Sequence, residues 1–257
     1  MEVSLELNQR QQELLAWVQR EGFASVEALA SHFSVTHQTI RRDINYLAEL
    51  KLIRRYHGGA GLPSSVENMA YATRQVLFHE EKRRIAKAVA ENIPNNASLF
   101  INIGTTNEEV AKALSNHRGL RVITNNLNVA SVMAGNADCE VIIAGGVVRP
   151  RDKGITGEAT IDFIRQFKVD FGIIGISSIE LDGTLRDFDY REVRVAEAII
   201  AQSRQVYLVA DHSKLGRAAL VRLAHISQIH CFFTDRPLPE RMAAVLAEAK
   251  TQLVIAA

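Results

Sequence analysis

Cysteine is nearly missing from this chain. Only Cys139 and Cys231 occur in 257 residues, and neither has a partner at metal-ligand spacing. That excludes a disulfide scaffold and the zinc-finger classes. Both thiols lie in apolar runs, so buried free cysteines in a reducing compartment are expected. No metal or cofactor is expected. Proline is scarce, with five residues, and no low-complexity tract or internal repeat appears. No run approaches the ~20 apolar residues of a membrane-spanning helix. The first residues, MEVSLELNQRQQELLAWVQ, are acidic and amphipathic rather than basic and then apolar, so they do not read as a signal peptide, and a cytoplasmic location with no membrane partner is expected. A dominant charge sign is absent too: 30 Lys+Arg face 29 Asp+Glu, a formal net charge of +1, which taken alone argues against a nucleic-acid binder.

What is present is ordinary globular composition, 47% hydrophobic and 23% charged. The length suits two domains of about 100–200 residues or fewer each. Near the start, Leu14, Leu15 and Val18 recur at helical spacing over residues 10–20. Ser25 can cap a second helix over 26–33, and Thr36 a third over 37–50. The stretch LKLIRRYHGGAGL then reads as two short strands around Gly58-Gly59. Three small helices and a hairpin within about 60 residues form a winged helix-turn-helix pattern, whose second motif helix enters a DNA major groove.

In the third helix Ile40, Ile44 and Leu47 define the inner face. Gln38 and Arg42 lie opposite, with Asn45 beyond them and Thr39 and Arg41 on the flanks. Gln and Arg read adenine and guanine edges, while Thr and Arg suit phosphates or a thymine methyl. Arg54, Arg55 and His57 would line the wing. Thr36, Gln38, Thr39, Arg41, Arg42, Asn45, Arg54, Arg55 and His57 are therefore the candidate contacts to double-stranded operator DNA. Local charge qualifies the near-zero total. Residues 1–35 hold two arginines against five glutamates, net −3, and residues 36–62 hold five basic against two acidic residues, net +3. A patch this small predicts modest affinity from one copy, hence a dimer or larger homo-oligomer.

Residues 62–76 contain a Pro-Ser-Ser break without firm periodicity and read as a linker between a DNA-binding domain over 1–61 and a second domain over 77–257. A helix over 80–92 then leads into apolar strands alternating with helices, which argues for an α/β domain with a mostly parallel sheet covered on both faces. Polar residues collect at strand ends: Ile103-Gly104-Thr105-Thr106, Thr124-Asn125-Asn126, Ala144-Gly145-Gly146 and Asp211-His212-Ser213-Lys214. Gly104, Thr105 and Thr106 stand where a strand meets a helix N-terminus, which attracts anions. Neither a Walker A loop nor a G-x-G-x-x-G pattern is present. Ligands of open α/β sheets bind at the carboxyl ends of strands. Gly104, Thr105, Thr106, Asn125, Asn126, Gly145, Asp187, Glu192, Asp211 and Lys214 are accordingly the candidate ligand residues. Lys214 would be a mobile cation for phosphate, and Arg191 and Arg194 would neutralise the acidic loop before their helix. Each position also has a plainer reading, Asn125 or Asn126 as helix caps and Lys214 as a surface lysine. Asp211, Lys214 and Glu192 have the chemistry for acid–base work, which leaves a sugar-phosphate isomerase-like enzyme as an alternative.

The motifs SVTHQTIRRDINYLAELKLIRRYHGGA, IGTT, TNN, AGG, DFGIIGIS and DHSKLG occur in this order over nearly the whole chain, which resembles the DeoR family of bacterial transcriptional regulators. That resemblance implies an N-terminal winged helix-turn-helix and a C-terminal domain similar to ribose-5-phosphate isomerase, assembled as dimers or tetramers. It implies a repressor released by a phosphorylated sugar or polyol rather than an enzyme, although an activator is not separated from a repressor by the residues. HGGAGLPSS, TNNLNVA, GEATIDFIRQFKVDFGIIGIS, FDYREVR and DHSKLGR are most similar to family members that govern glycerol metabolism, which makes sn-glycerol 3-phosphate the expected inducer. Pocket chemistry does not separate it from a pentose phosphate. Two positions depart from the family pattern: Asn102, where Asp is common, and Ala196, where Lys is common.

Overall fold

The structure is a computed structural model that describes residues 7–21, 23–56, 58–61, 68 and 70–256. The N-terminal unit comprises α1 (Gln9–Glu21), β1 (Phe23–Ser25), α2 (Val26–His32), α3 (His37–Glu49), β2 (Arg54–Tyr56) and β3 (Gly59–Gly61). The expected caps are in place. Ser25 Oγ accepts the Ala28 amide at 3.1 Å, and Thr36 Oγ1 accepts the Thr39 amide at 3.2 Å. Ile40, Ile44 and Leu47 are almost wholly buried against Leu14, Val18 and Leu29. Each such side chain stabilises the unit by about 1.5–3 kcal/mol.

The hairpin carries a third strand that the sequence reading did not anticipate. β1 pairs antiparallel with β3, giving the order β1-β3-β2. Three residues are too few to show a period-two pattern. A Cβ on Gly59 would lie 2.4 Å from the Ala24 carbonyl oxygen, so this close pairing requires glycine. Asp43 also departs from the expected inner face. It is buried, ion-paired to Arg10 at 2.6 Å and receives Gln11 Nε2 at 3.1 Å, so a polar clamp ties α3 to α1.

Residues 71–76 of the expected linker form a helix, α4 (Tyr71–Val76), followed by α5 (His79–Glu91). Beyond them the chain alternates β4 (Ser98–Ile101), α6 (Thr105–Ala113), β5 (Leu120–Thr124), α7 (Leu127–Met133) and β6 (Cys139–Ile143). A small hairpin, β7 (Val147–Val148) and β8 (Ile155–Thr156), precedes α8 (Glu158–Ile164) and β9 (Val169–Gly175). Next come β10 (Ser178–Ile179), β11 (Thr184–Asp187), α9 (Tyr190–Ala201), β12 (Ser203–Val209) and β13 (Val221–His225). The last elements are β14 (Cys231–Thr234), α10 (Glu240–Ala249) and β15 (Gln252–Ile255).

Seven strands make one parallel sheet in the order β15-β14-β12-β9-β4-β5-β6, as the α/β reading expects. Alternate side chains of each strand feed two cores. Leu99 and Ile101 of β4 face Ile85, Val110 and Leu114 of α5 and α6, whereas Phe100 faces Ile161, Val193 and Ile199 of α8 and α9. The short strands β10, β11 and β13 form a separate antiparallel sheet. The chain runs outward from β4 through β5 to β6, then returns to the other side of β4 with β9. The strand order therefore reverses between β4 and β9, where an open α/β sheet leaves a crevice at its carboxyl end.

Candidate functional site

The exposed side of α3 is free for contact. Thr36, Gln38, Arg41, Arg42 and Asn45 are exposed, and Thr39 is half-buried with its hydroxyl 2.9 Å from that of Thr36. Arg54 and Arg55 are exposed on β2. Arg55 Nη1 donates to Asn45 Oδ1 at 3.0 Å, and Arg54 stacks over Tyr56 with its guanidinium carbon 5.7 Å from the ring centre. The wing and α3 thus present one basic face, fixed from behind by the Asp43 clamp. His57 lies outside the described residues.

The crevice between β4 and β9 opens into a cavity of about 50 Å³. Roughly 10–15 Å³ on that measure holds one water, so the space suits a few waters or one compact polar molecule. Of the candidate ligand residues, Gly104, Thr105, Thr106, Asp187, Glu192 and Lys214 line it. Gly104 has φ +136, a conformation open to glycine and costly for other residues, and it sets the turn from β4 into α6. The first amides of α6 have no intrahelical acceptor, which makes its N-terminus attractive to an anion. Asn107 Nδ2 donates to the carbonyls of Asn102 and Ile103 at 3.0 and 2.9 Å and holds that turn.

The other candidates do not line the cavity. Asn125 Nδ2 donates to the Ile155 carbonyl at 3.1 Å. Asn126 caps α7 by accepting the Asn128 amide at 2.9 Å and donates to Glu108 at 3.2 Å. Gly145 is exposed beyond β6, where its carbonyl accepts Thr160 Oγ1 at 2.8 Å. Asp211 is buried and acts through its neighbours. Burial opposes its ionisation, yet Lys214, Lys82 and the Ser213 hydroxyl together hold it below the usual carboxylate range.

Lys214 is not the mobile cation expected. Its side chain is only 13% exposed, and its nearest carboxylate oxygen, on Asp211, is 3.9 Å away. No hydrogen bond of its ammonium occurs among the described residues. Burial pushes Lys214 down to about 8, against the pull of Asp211, and the charges of Arg217, Lys82 and Arg74 add to the shift. Arg217 is likewise lowered, by burial and then by Arg74. Arg74, Lys82, Lys214 and Arg217 thus gather their positive charge around Asp211 and Asp187, with Arg74 and Lys214 on the cavity wall.

The acidic residues are placed otherwise. Asp187 accepts Ser177 Oγ at 2.9 Å and the Phe188 amide at 2.7 Å, and burial holds it above the usual range. Burial, then the charge of Asp187, also raises Glu192. The arginines that meet the acidic loop are Arg149 and Arg151, not the expected Arg191 and Arg194. Arg149 bonds Glu192 and is 2.7 Å from Asp152, and Arg151 lies 2.6 Å from Glu192. Arg191 stacks on Tyr190, and Arg194 stands 4.0 Å from Glu158 and Glu197. The β7–β8 loop crosses to α9, a pairing invisible to reasoning along one helix. Asp187 and Glu192, hydrogen-bonded or ion-paired and raised by burial, share the cavity wall with Arg74 and Lys214, so the lining offers groups for both hydroxyls and an anion.

Sequence reasoning missed Tyr71, Arg74, Asp152 and Ser177, which line the cavity, and placed Asn102 and Ala196, which also line it, only as departures. A six-residue helix has no apolar stripe, so Tyr71 and Arg74 carried no signal beyond their three-residue spacing. Among the described residues, no group of acidic, His and Cys side chains could hold a metal ion. No helix there is long and apolar enough to cross a membrane. Cys139 and Cys231 are free thiols, half-buried and buried.

A basic helix-and-wing unit joined to an α/β unit with a polar cavity at its strand ends is the arrangement of a DNA-binding regulator with its own sensor. The family comparison agrees: the DeoR-like helix-turn-helix domain matches residues 10–66 and the DeoR C terminal sensor domain matches residues 77–236. The chain belongs to the DeoR family. It is 54% identical to the glycerol-3-phosphate regulon repressor of Escherichia coli (strain K12) over 245 residues, covering 95% of this chain and 97% of that protein. It is 52% identical to the glycerol-3-phosphate regulon repressor of Haemophilus influenzae, with 96% of each covered. Among solved structures, ribose 5-phosphate isomerase A from Neisseria gonorrhoeae overlaps 52% of each chain at a TM-score of 0.39 and 16% identity, a likeness that carries no argument about chemistry.

Proposed function

We propose that this chain is a transcriptional repressor of glycerol or glycerol 3-phosphate metabolism, released from its operator by sn-glycerol 3-phosphate. The observation that carries the reading is the high identity to two glycerol-3-phosphate regulon repressors, which runs through both the helix-turn-helix and the sensor domain. The cavity supports it, because a three-carbon phosphate brings both an anion for Lys214 and hydroxyls for Asp187 and Glu192.

Gln38, Thr39, Arg41 and Arg42 meet base edges and phosphates, with Thr36 and Asn45 at the margins and Arg54, Arg55 and His57 along the wing. Gly104, Thr105, Thr106 and Lys214 take the phosphate. Asn125, Asn126 and Asp211 support the loops around it. The division into residues 1–61, 62–76 and 77–257 assigns DNA reading, connection and sensing in turn. A homo-oligomer, dimer or tetramer, presents two recognition helices to paired half-sites, because one small basic face binds DNA only modestly.

The test is an operator titration by fluorescence anisotropy, repeated with sn-glycerol 3-phosphate, ribose 5-phosphate and inorganic phosphate. Glycerol 3-phosphate is expected to weaken operator binding about 5- to 150-fold, the usual span of allosteric coupling. No operator binding, or binding that ignores every small phosphate, sinks the reading. Turnover of a sugar phosphate by the purified protein would replace it with an enzyme.

A further inference from the structure

We propose that Arg74 is a ligand-binding residue and that α4 carries the occupancy of the cavity into the core of the DNA-binding unit. The inference rests on the cavity being an anion-sensing site.

Arg74 lines the cavity from a helix outside the parallel sheet. Its Nη2 is 3.8 Å from Asp152 Oδ2, beyond a hydrogen bond, and its buried Nε has no partner among the described residues. A guanidinium offers five donors in a fixed fork matched to carboxylate or phosphate oxygens. Leaving such donors unmade inside a protein is costly, and an anion in the cavity removes the cost.

The rest of α4 is held to both units. Toward the sensor, the Tyr71 hydroxyl lies 2.7 and 2.9 Å from the two Glu108 oxygens, to which it donates, and accepts Asn128 Nδ2 at 2.8 Å. Its guanidinium neighbour Arg74 sits 5.8 Å from the Tyr71 ring centre. Toward the DNA-binding unit, Leu77 directly follows the helix and is buried in the apolar cluster that contains Leu14, Ile40 and Leu47. Phe78 packs on the same cluster and meets His212 edge-to-face at 4.8 Å, two residues before Lys214. Lys82 clamps the junction by donating to the Leu77 carbonyl at 2.6 Å and to the Arg74 carbonyl.

Phe78 itself has φ +56 and ψ 39, a left-handed conformation that a bulky residue adopts at an energetic cost. The junction is therefore strained and held from both sides. An anion that draws Arg74 inward pulls α4 at one end of Leu77-Phe78. The same anion on Lys214 alters the His212 contact at the other. Both movements act on the cluster that orients α3, so a ligand that prefers the shifted arrangement lowers DNA affinity by population shift.

The experiment uses the full chain. Calorimetry measures glycerol 3-phosphate and inorganic phosphate binding to wild type, R74Q and R74K, and operator titrations compare wild type with F78L, with and without ligand. R74Q is expected to bind glycerol 3-phosphate at least tenfold more weakly, with R74K between the two. F78L keeps an apolar side chain on the cluster but loses the ring edge on His212. It is expected to bind ligand within threefold of wild type, while the ligand's effect on operator affinity drops to under a third. R74Q binding as tightly as wild type, or F78L keeping the full ligand effect, overturns the proposal. A measurement on unaltered protein guards against misfolded variants: saturating ligand should change amide exchange in residues 71–78 and in α3, and no change there overturns it too. Wild-type protein that binds no small phosphate fails the functional reading itself, and the inference falls with it.

Discussion

The two faces of this regulator handle charge in opposite ways. Around α3 and the wing, Arg41, Arg42, Arg54 and Arg55 stand exposed, above an apolar core and the Asp43 clamp, with Asn45 and Tyr56 holding the two wing arginines. In the sensor, Lys214, Arg217, Lys82, Asp187 and Glu192 are largely withdrawn from solvent, and Lys82 and Arg217 act on Lys214, Arg217 on Asp187, and Asp187 on Glu192. Surface cations around a polyanion act almost independently, each through its own phosphate or base. Buried charges in one cavity act as a unit. A substitution in the first region should therefore have a bounded, local effect, and one in the second should spread to ligand affinity, pH response and stability together.

The largest expected effect breaks the support of the DNA face. Leu47→Ala removes a wholly buried side chain below α3 and should destabilise the N-terminal unit by about 2–5 kcal/mol in denaturant unfolding. A loss under 1 kcal/mol would mean that α3 is not anchored by its inner face. Next comes the cavity. Lys214→Met should weaken glycerol 3-phosphate binding roughly 30-fold, about 2 kcal/mol, because a buried charge is removed from its partner. It should also lower the melting temperature, since Asp211 loses its nearest cation. Unchanged ligand affinity removes Lys214 from the site.

Arg42→Ala should cost about 1–3 kcal/mol of operator affinity and relax the preference at one base position, while calorimetry still finds ligand binding. Equal operator affinity refutes base reading by Arg42. The pH response is of similar size. Lys214 is charged below about 8 in the ligand-free protein, so ligand affinity should be about tenfold weaker at pH 9 than at pH 7. The stability of the ligand-free fold should move the other way. Burial depresses the lysine from its ordinary 10.5, so the folded state sheds that proton first and gains stability as pH rises from about 8 toward 10.5. Calorimetry and melting curves across that range check both signs. The smallest effect is Arg55→Ala, which should weaken DNA binding uniformly across sequences and flatten its salt dependence by about one phosphate per subunit. A sequence-dependent loss would instead make Arg55 a base reader through its contact with Asn45.

The contrast also explains what could be read in advance. The cap at Thr36, the inner face of Ile40, Ile44 and Leu47, and the exposed Gln38 and Arg42 all follow from a 3.6-residue period and one capping residue. The polar strand ends were visible for the same local reason, and Gly104, Thr105, Thr106 and Lys214 do meet at one cavity. Asn126 and Asn125 share that signal and yet serve as a helix cap and a loop anchor. Polarity at a strand end does not say which way a side chain turns. Asp43 looks like a surface residue of a polar helix until Arg10, 33 positions earlier, is seen to clasp it. Arg74 had no readable signal, because a helix of six residues shows no period and its function lies in what it reaches.

The sequence alone determined the alternation of elements, the helix-turn-helix at the start and the exposed polar face of α3, because each depends on spacing within about 15 residues. Only the tertiary structure decided that β9 returns beside β4, that α4 closes the cavity and that Arg149 rather than Arg191 meets Glu192. Those outcomes depend on strand order and on the burial of charges from distant segments. Their energies arise only once the segments share a desolvated space.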